Sequence, residues 1–169
     1  MVVGDDVHIS GEGTLHGGGA WWWKKRASSS TALAAGRPHL LEIYNSSRVE
    51  VAGITLQDSA FWTLHPVYSS EVYIHDVNIS APADSDNTDG IDPDSSSNVL
   101  IERCVISCGD DHIAIKSGID AAGRAFNMPS RNITVKKLFL TFLSLYSTSL
   151  LVLFFSSSCM TEYFINLML

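Results

Sequence analysis

Basic residues are scarce in this chain, which has 11 Lys and Arg against 18 Asp and Glu and a net charge of −7 over 169 residues. Binding to nucleic-acid phosphates needs clustered Lys and Arg, so this balance excludes a nucleic-acid partner. The one basic cluster, Lys24-Lys25-Arg26, is interpreted as a solvated loop. Apolar residues make up 46% and charged residues 17%, a composition typical of one folded domain.

Cysteine is rare as well: the chain has Cys104, Cys108 and Cys159, and no Cys-x-x-Cys spacing. The missing spacing argues against a structural zinc site. Cys104 and Cys108 could pair or could both be buried thiols, and we favour buried thiols.

A signal-peptide pattern is missing at the start, where Met1-Val2-Val3 runs directly into Gly4-Asp5-Asp6. Three N-glycosylation sequons are nevertheless present, beginning at Asn45, Asn78 and Asn132. Taken together, these features predict a chain that starts late relative to a secreted parent.

An internal repeat is the clearest pattern that the chain does contain. Four segments read apolar-x-apolar-x-x-apolar-x-apolar, at residues 49–56, 72–79, 99–106 and 133–140, and a serine-containing turn precedes each. Their first positions are 23, 27 and 34 residues apart. Alternation with period two indicates strands, and the two-residue interruption indicates a bend between two strands.

Short strands, polar turns and a coil of roughly 20–30 residues predict an all-β solenoid of the β-helix type rather than a β-sandwich. Val7-His8-Ile9 is interpreted as a strand of a glycine-rich first coil. We expect Trp21-Trp22-Trp23 to pack over the open end of this coil, followed by a loop at 24–36 with weak helical character.

The last part of the chain breaks the repeat. From residue 138 to 169 there is no Lys or Arg, and Leu, Phe and Ser dominate. We therefore predict a β-helix domain at 1–137 and an atypical hydrophobic tail at 138–169. The tail composition favours translated non-coding sequence, from intron read-through or a gene-model error. A genuine terminal segment on the solenoid and a membrane span are the alternatives.

Two acidic motifs carry the candidate chemistry. Asn87-Thr88-Asp89-Gly90 is followed, 22 residues after Asp89, by Asp111 in the run Gly109-Asp110-Asp111-His112. One coil of the solenoid has about this length, so Asp89 and Asp111 should stack on neighbouring strands at about 4.8 Å, with Asp110 beside them and a bend at Gly109.

Three adjacent carboxylates cannot all be ionised cheaply, so at least one should hold a proton. A protonated acid beside ionised bases fits glycoside hydrolysis by inversion, for which acid and base lie about 6.5–9.5 Å apart. The alternative is a solvated acidic loop or a Ca²⁺ loop, although the spacing does not match an EF-hand.

Together, Asn-Thr-Asp-Gly and the later Gly-Asp-Asp-x-Ile-Ala-Ile-Lys-Ser-Gly resemble the signature of polygalacturonases, glycoside hydrolase family 28. Phe61-Trp62-Thr63-Leu64-His65-Pro66 resembles the plant-type members. The resemblance implies a single-stranded, right-handed parallel β-helix of the pectin lyase-like type, incomplete here. It further implies hydrolysis of the α-1,4-galacturonan of pectin, with no metal and no cofactor.

By the same resemblance, Asp110 is the general acid, and Asp89 and Asp111 activate the water. Asn87, His112 and Lys116 are candidate substrate-binding residues, although His112 also fits a packed structural role and Lys116 fits an ion pair with one of the aspartates. We expect a secreted, monomeric cell-wall protein whose partner is homogalacturonan, not a membrane.

The sequence departs from the family pattern at Lys136-Lys137. Neither the Gly-His-Gly nor the Arg-x-Lys motif of the family occurs in the chain. A hydrolase with impaired substrate binding is therefore expected. A non-catalytic pectin-binding remnant and a pectate-lyase-like protein are the alternatives.

Overall fold

The computed structural model describes residues 1–28, 33, 36–118 and 121–140, and the backbone of 152–155. In chain order the elements are β1 (Asp5–Ser10), β2 (Thr14–His16), α1 (Gly19–Ser28), β3 (Leu41–Tyr44), β4 (Ser47–Ala52), β5 (Thr55–Gln57), β6 (Leu64–Val67), β7 (Ser70–His75), β8 (Asn78–Ser80), β9 (Ser97–Glu102), β10 (Val105–Ser107), β11 (Ile113–Lys116), α2 (Ala121–Phe126), β12 (Arg131–Lys136), β13 (Phe139–Leu140) and β14 (Val152–Phe155).

These strands form three parallel sheets that run along the stack of coils. The first sheet has the order β1-β4-β7-β9-β12, and the second has the order β2-β5-β8-β10-β13. The third consists of the pairs β3-β6 and β11-β14, with residues 91–94 bridged to both β6 and β11. The chain is therefore a parallel β-helix, as predicted.

The predicted repeat sets the register of the coils. Val49 pairs with Val72, Val72 with Val99 and Val99 with Ile133, so equivalent positions of the four segments lie one above another. Their inward side chains form one apolar column that is almost completely closed to solvent. At about 25 cal/mol per Å² of apolar surface removed from water, this column is the main stabilising contribution.

The bend inside each repeat is produced by one residue in the left-handed region of backbone conformation. Gly53, Asp76, Arg103 and Lys137 occupy equivalent positions, with φ between 53° and 72°. Glycine accepts this conformation readily, but the other three do so at some cost in strain. Arg103 and Asp76 lie on successive coils and form an ion pair at 2.8 Å.

The serine turns form a ladder between coils. The backbone N–H groups of Ser46, Ser69 and Ser96 donate to the hydroxyl oxygens of Ser69, Ser96 and Ser130, respectively, at 3.1–3.2 Å. All four side chains are buried, so the hydroxyls replace water as partners of the backbone.

Three parts of the fold differ from the sequence expectations. Val7 pairs with Val49, so β1 and β2 are a further copy of the repeat. The third sheet was not predicted. Lys24-Lys25-Arg26, predicted to lie in a loop, belong to α1 together with the three tryptophans. Trp23 donates from Nε1 to the Ser59 carbonyl, whereas Trp21 is 60% exposed.

The predicted boundary at residue 138 remains a prediction. β13 pairs with β10, and β14 pairs with β11, so two short parts of the predicted tail continue the parallel sheets. The rest of the tail and Cys159 lie outside the described residues. Within the described residues, no helix has the length and apolarity that crossing a bilayer requires.

Candidate active site

The acidic residues meet where two neighbouring strand segments of the third sheet begin. Ile91 bridges to Ile113, which places Asp89 beside Asp111 on the next coil, as the 22-residue spacing predicts. The N–H of Gly90 donates to the Asp111 carbonyl at 2.9 Å and fixes this register. One carboxylate oxygen each of Asp89, Asp110 and Asp111 lies within 4.8 Å of the others.

Gly109 permits the approach of the two coils. A Cβ at this position would lie 2.2 Å from the Ser85 carbonyl oxygen and 2.8 Å from that of Pro82. The Gly109 N–H donates to the Thr88 hydroxyl at 2.9 Å. The predicted bend is thus a close backbone approach that a side chain would obstruct.

The three carboxyl groups differ in environment. Asp89 is buried, Asp111 is half-buried and Asp110 is exposed, where it accepts a hydrogen bond from Asn87 Nδ2 at 3.2 Å. Burial raises the pKa of Asp111 to about 6, and the charges of Asp110 and Asp89 add to this effect. The cluster therefore holds a proton in the weakly acidic range, and that proton belongs to the interacting group as a whole.

A buried ion pair lies behind the trio. Lys116 Nζ is 2.6 Å from Asp92 Oδ1 and 3.4 Å from Asp89 Oδ2, and it lies 4.1 Å from the centre of the Trp62 ring. Complete burial raises the pKa of Asp92 well above its usual value, although Lys116 opposes this effect. Burial also raises the pKa of Asp89, with Lys116 again acting in the opposite direction.

The candidate substrate-binding residues are therefore not equivalent. Asn87 is half-buried, and its side chain is hydrogen-bonded to the exposed Asp110. His112 is 5% exposed and Lys116 is 4% exposed, so both side chains lie inside the structure.

Sequence reasoning did not assign a role to Asp92 or Arg37. Asp92 follows the Asn87-Thr88-Asp89-Gly90 motif by two residues, and its pairing with Lys116 follows only from the fold. Arg37 donates to Asn87 Oδ1 at 2.8 Å and lies 4.9 Å from the centre of the Phe61 ring. Arg37 and Asn87 are 50 positions apart in the sequence, so no local pattern could predict this contact.

Cys104 is buried and Cys108 is half-buried, and both are free thiols. Burial raises the pKa of Cys104 to about 11 and that of Cys108 to about 12. Both sulfurs are therefore protonated and poorly nucleophilic.

Comparison with known proteins shows the family of the chain. Residues 3–138 match the family described as Glycosyl hydrolases family 28. The chain belongs to this family. A "Probable polygalacturonase" of Vitis vinifera is 42% identical over 152 residues, which are 87% of this chain and 28% of that protein. The chain thus spans less than a third of this relative's length.

Solved structures place the fold in the same group. An exopolygalacturonase from Thermotoga maritima superposes with a TM-score of 0.71 at 30% identity, over 80% of this chain and 38% of that one. A polygalacturonase from Erwinia carotovora superposes with a TM-score of 0.65 at 23% identity, over 82% of this chain and 44% of that one. The second likeness supports the fold alone.

Proposed function

We propose that the chain carries the catalytic carboxyl groups of a pectin hydrolase that cleaves the α-1,4 links of homogalacturonan. The observation that carries the proposal is the convergence of Asp89, Asp110 and Asp111 within 4.8 Å at the edge of a family 28 β-helix. The names of the relatives and the sequence motifs point to the same substrate class.

In this proposal Asp110 is the general acid, because it is the exposed member of the trio and can reach a bound polysaccharide. It protonates the glycosidic oxygen as the bond from C1 to that oxygen breaks. Asp89 and Asp111 hold a water whose oxygen forms the new bond to C1 and whose proton passes to a carboxylate. Asn87 holds Asp110 in place and contacts the sugar.

Lys116 supports this chemistry from behind, as a positioning residue. Its ammonium group holds the buried carboxylate of Asp89 towards the trio and keeps it partly ionised, while Asp92 balances the charge. A buried lysine paired with two carboxylates is a poor direct ligand for the substrate. We therefore propose this role in place of substrate binding for Lys116, and a packing role for His112.

A second candidate is pectin binding without turnover. The specific observation in its favour is that the Lys116 ammonium group beside the trio is already paired with Asp92 and Asp89, so it is a poor partner for a galacturonate carboxylate. Arg-carboxylate pairing would normally position the galacturonate groups.

Secretion into the cell wall belongs to the same proposal. The sequon residues Asn45, Asn78 and Asn132 are all exposed on the β-helix, as glycan attachment requires. We also keep a monomeric state as a prediction.

Release of reducing ends from polygalacturonate tests the proposal. We expect release by the wild-type chain and none by Asp110→Asn, with the same thermal unfolding for both because Asp110 is exposed. Release that persists in Asp110→Asn would refute the acid assignment. Retention on a pectin column without release by either protein would favour the binding candidate, and a product with ultraviolet absorbance would indicate a lyase.

A further inference from the structure

A second cluster of polar side chains lies on the outer face of the third sheet, where the Trp62 ring lies between it and Lys116. It consists of His39, Glu42 and His65. Glu42 in β3 pairs directly with His65 in β6 on the next coil, and His39 precedes Glu42 by three residues. The cluster thus joins two successive coils.

Its ligand atoms point to one place. His39 Nδ1 lies 2.8 Å from Glu42 Oε2 and 3.2 Å from His65 Nδ1, and His65 Nδ1 lies 3.6 Å from Glu42 Oε2. The two Nδ1 atoms, 3.2 Å apart, cannot both have hydrogens that point at each other. At least one nitrogen lone pair and the carboxylate oxygen therefore face the same point.

The two rings are held by packing against aromatic side chains. His39 stacks on Trp62 at 5.2 Å with an angle of 5° between the ring planes, and His65 meets Trp62 edge-on at 5.1 Å. Burial lowers the pKa of His39, and the neighbouring His65 adds to this effect, whereas Glu42 opposes it.

A carboxylate also lies on the outer side of one ring. His65 Nε2 is 3.8 Å from Asp94 Oδ2, beyond hydrogen-bonding distance, on the side of the ring away from the cluster. A small closing movement on metal binding would let this carboxylate orient the ring, as outer carboxylates do for ligating histidines. Side-chain exposures of 21% for His39 and 27% for Glu42 leave the cluster open to solvent on one side.

We propose that His39, Glu42 and His65 bind one first-row divalent transition-metal ion, such as Zn²⁺, with the remaining coordination position open to water. Two imidazole nitrogens and one carboxylate oxygen suit Zn²⁺, Ni²⁺ or Cu²⁺, whereas Ca²⁺ and Mg²⁺ prefer oxygen ligands alone. The ion would join two coils and lies outside the proposed hydrolytic chemistry.

Calorimetric titration of the chelator-treated chain with ZnCl₂ tests the proposal. We expect one equivalent to bind, with a rise in the unfolding temperature, and little heat from CaCl₂. His39→Gln and Glu42→Gln should each weaken Zn²⁺ binding by roughly tenfold or more. Loss of a residue that only supports a ligand already lowers metal affinity by about 10–100-fold, so loss of a ligand should cost at least as much.

Two control variants separate this cluster from the other acidic and histidine groups. Asp110→Asn alters the trio, and His75→Gln alters the His75–Glu50 pair on another sheet. Both should bind Zn²⁺ as the wild type does. Absence of binding to the wild type, undiminished binding to Glu42→Gln, or loss in Asp110→Asn would each overturn the proposal.

A measurement on the wild type alone tests the site even if the variants do not fold. Co²⁺ bound by imidazole nitrogens at low coordination number gives visible absorption bands that are strong compared with those of the hydrated ion. We expect such bands, and we expect one equivalent of Zn²⁺ to abolish them. A Co²⁺ spectrum that stays that of the hydrated ion would contradict the site.

Discussion

Lys116 Nζ lies 2.6 Å from Asp92 Oδ1, and both side chains are almost completely closed to solvent. Removing one member of such a pair leaves an unbalanced buried charge, at a typical cost of about 3–5 kcal/mol. We expect Lys116→Met to lower the free energy of unfolding by about 3 kcal/mol at pH 8, as measured with urea. The loss should become smaller as the pH falls, because burial raises the pKa values of Asp92 and Asp89 and protonation removes their charges.

The double variant Lys116→Met with Asp92→Asn is the matched control for that experiment. It removes both charges, so most of the lost stability should return. If the single and double variants unfold at the same urea concentration, the pair has no energetic coupling, and the positioning role of Lys116 loses its basis.

Asp111 should make the stability of the folded chain dependent on pH. Its pKa is about 6 when folded, against an ordinary value of 3.8, so the folded state binds the proton more tightly. The resulting stability is complete below about pH 4 and is lost as the pH rises through 6. Because Asp111 is half-buried and partly screened, we expect a contribution of about 1 kcal/mol.

Comparing variants isolates this contribution. Asp111→Asn should be more stable than the wild type by about 1 kcal/mol at pH 7 and no more stable at pH 4. Asp84→Asn, an exposed carboxyl outside the trio, should leave the difference between pH 4 and pH 7 unchanged. An Asp111→Asn variant that shows the full pH dependence of the wild type would contradict the assignment.

Gly109 tests the close packing of the two coils at the site. Gly109→Ala would bring a methyl group against the Ser85 carbonyl, and overpacking of this kind costs about 1–3 kcal/mol. We expect a lower unfolding temperature and loss of hydrolysis, because the trio would move apart. Gly13→Ala is the control, since nothing lies within 4 Å of its added methyl group. Equal effects of the two changes would show that Gly109 is not required for contact.

Parts of the fold that depend on local pattern could be predicted from the sequence. Residues 49–56 and 72–79 alternate with period two and share one pattern 23 residues apart, so the register Val49–Val72 follows from the pattern. The same reasoning placed Asp89 beside Asp111. These relationships lie within one coil length, where spacing along the chain corresponds directly to position in the stack.

The third sheet could not be predicted in this way. β6 is buried at all four positions, because Trp62 and its neighbours cover the outer face, so the alternation that marks a strand is lost. From the sequence, Asp92 would be expected on the surface, whereas in the structure its side chain is buried beside Lys116. Contacts such as that of Arg37 with Asn87 depend on a loop whose path no local pattern fixes.

The distance between the carboxyl groups bears on the stereochemistry of cleavage. The nearest oxygens of the trio lie within 4.8 Å, which is shorter than the expected 6.5–9.5 Å between an acid and a base in inverting enzymes. The family resemblance still implies inversion, with the water held between two carboxylates on the face opposite the leaving group.

We therefore expect the first product from α-linked galacturonan to be the β-anomer. Proton NMR during the first turnovers distinguishes the anomers before they equilibrate. Initial release of the α-anomer would instead indicate retention, with one carboxylate of the trio attacking C1 directly, and the water-activating roles of Asp89 and Asp111 would have to be reassigned.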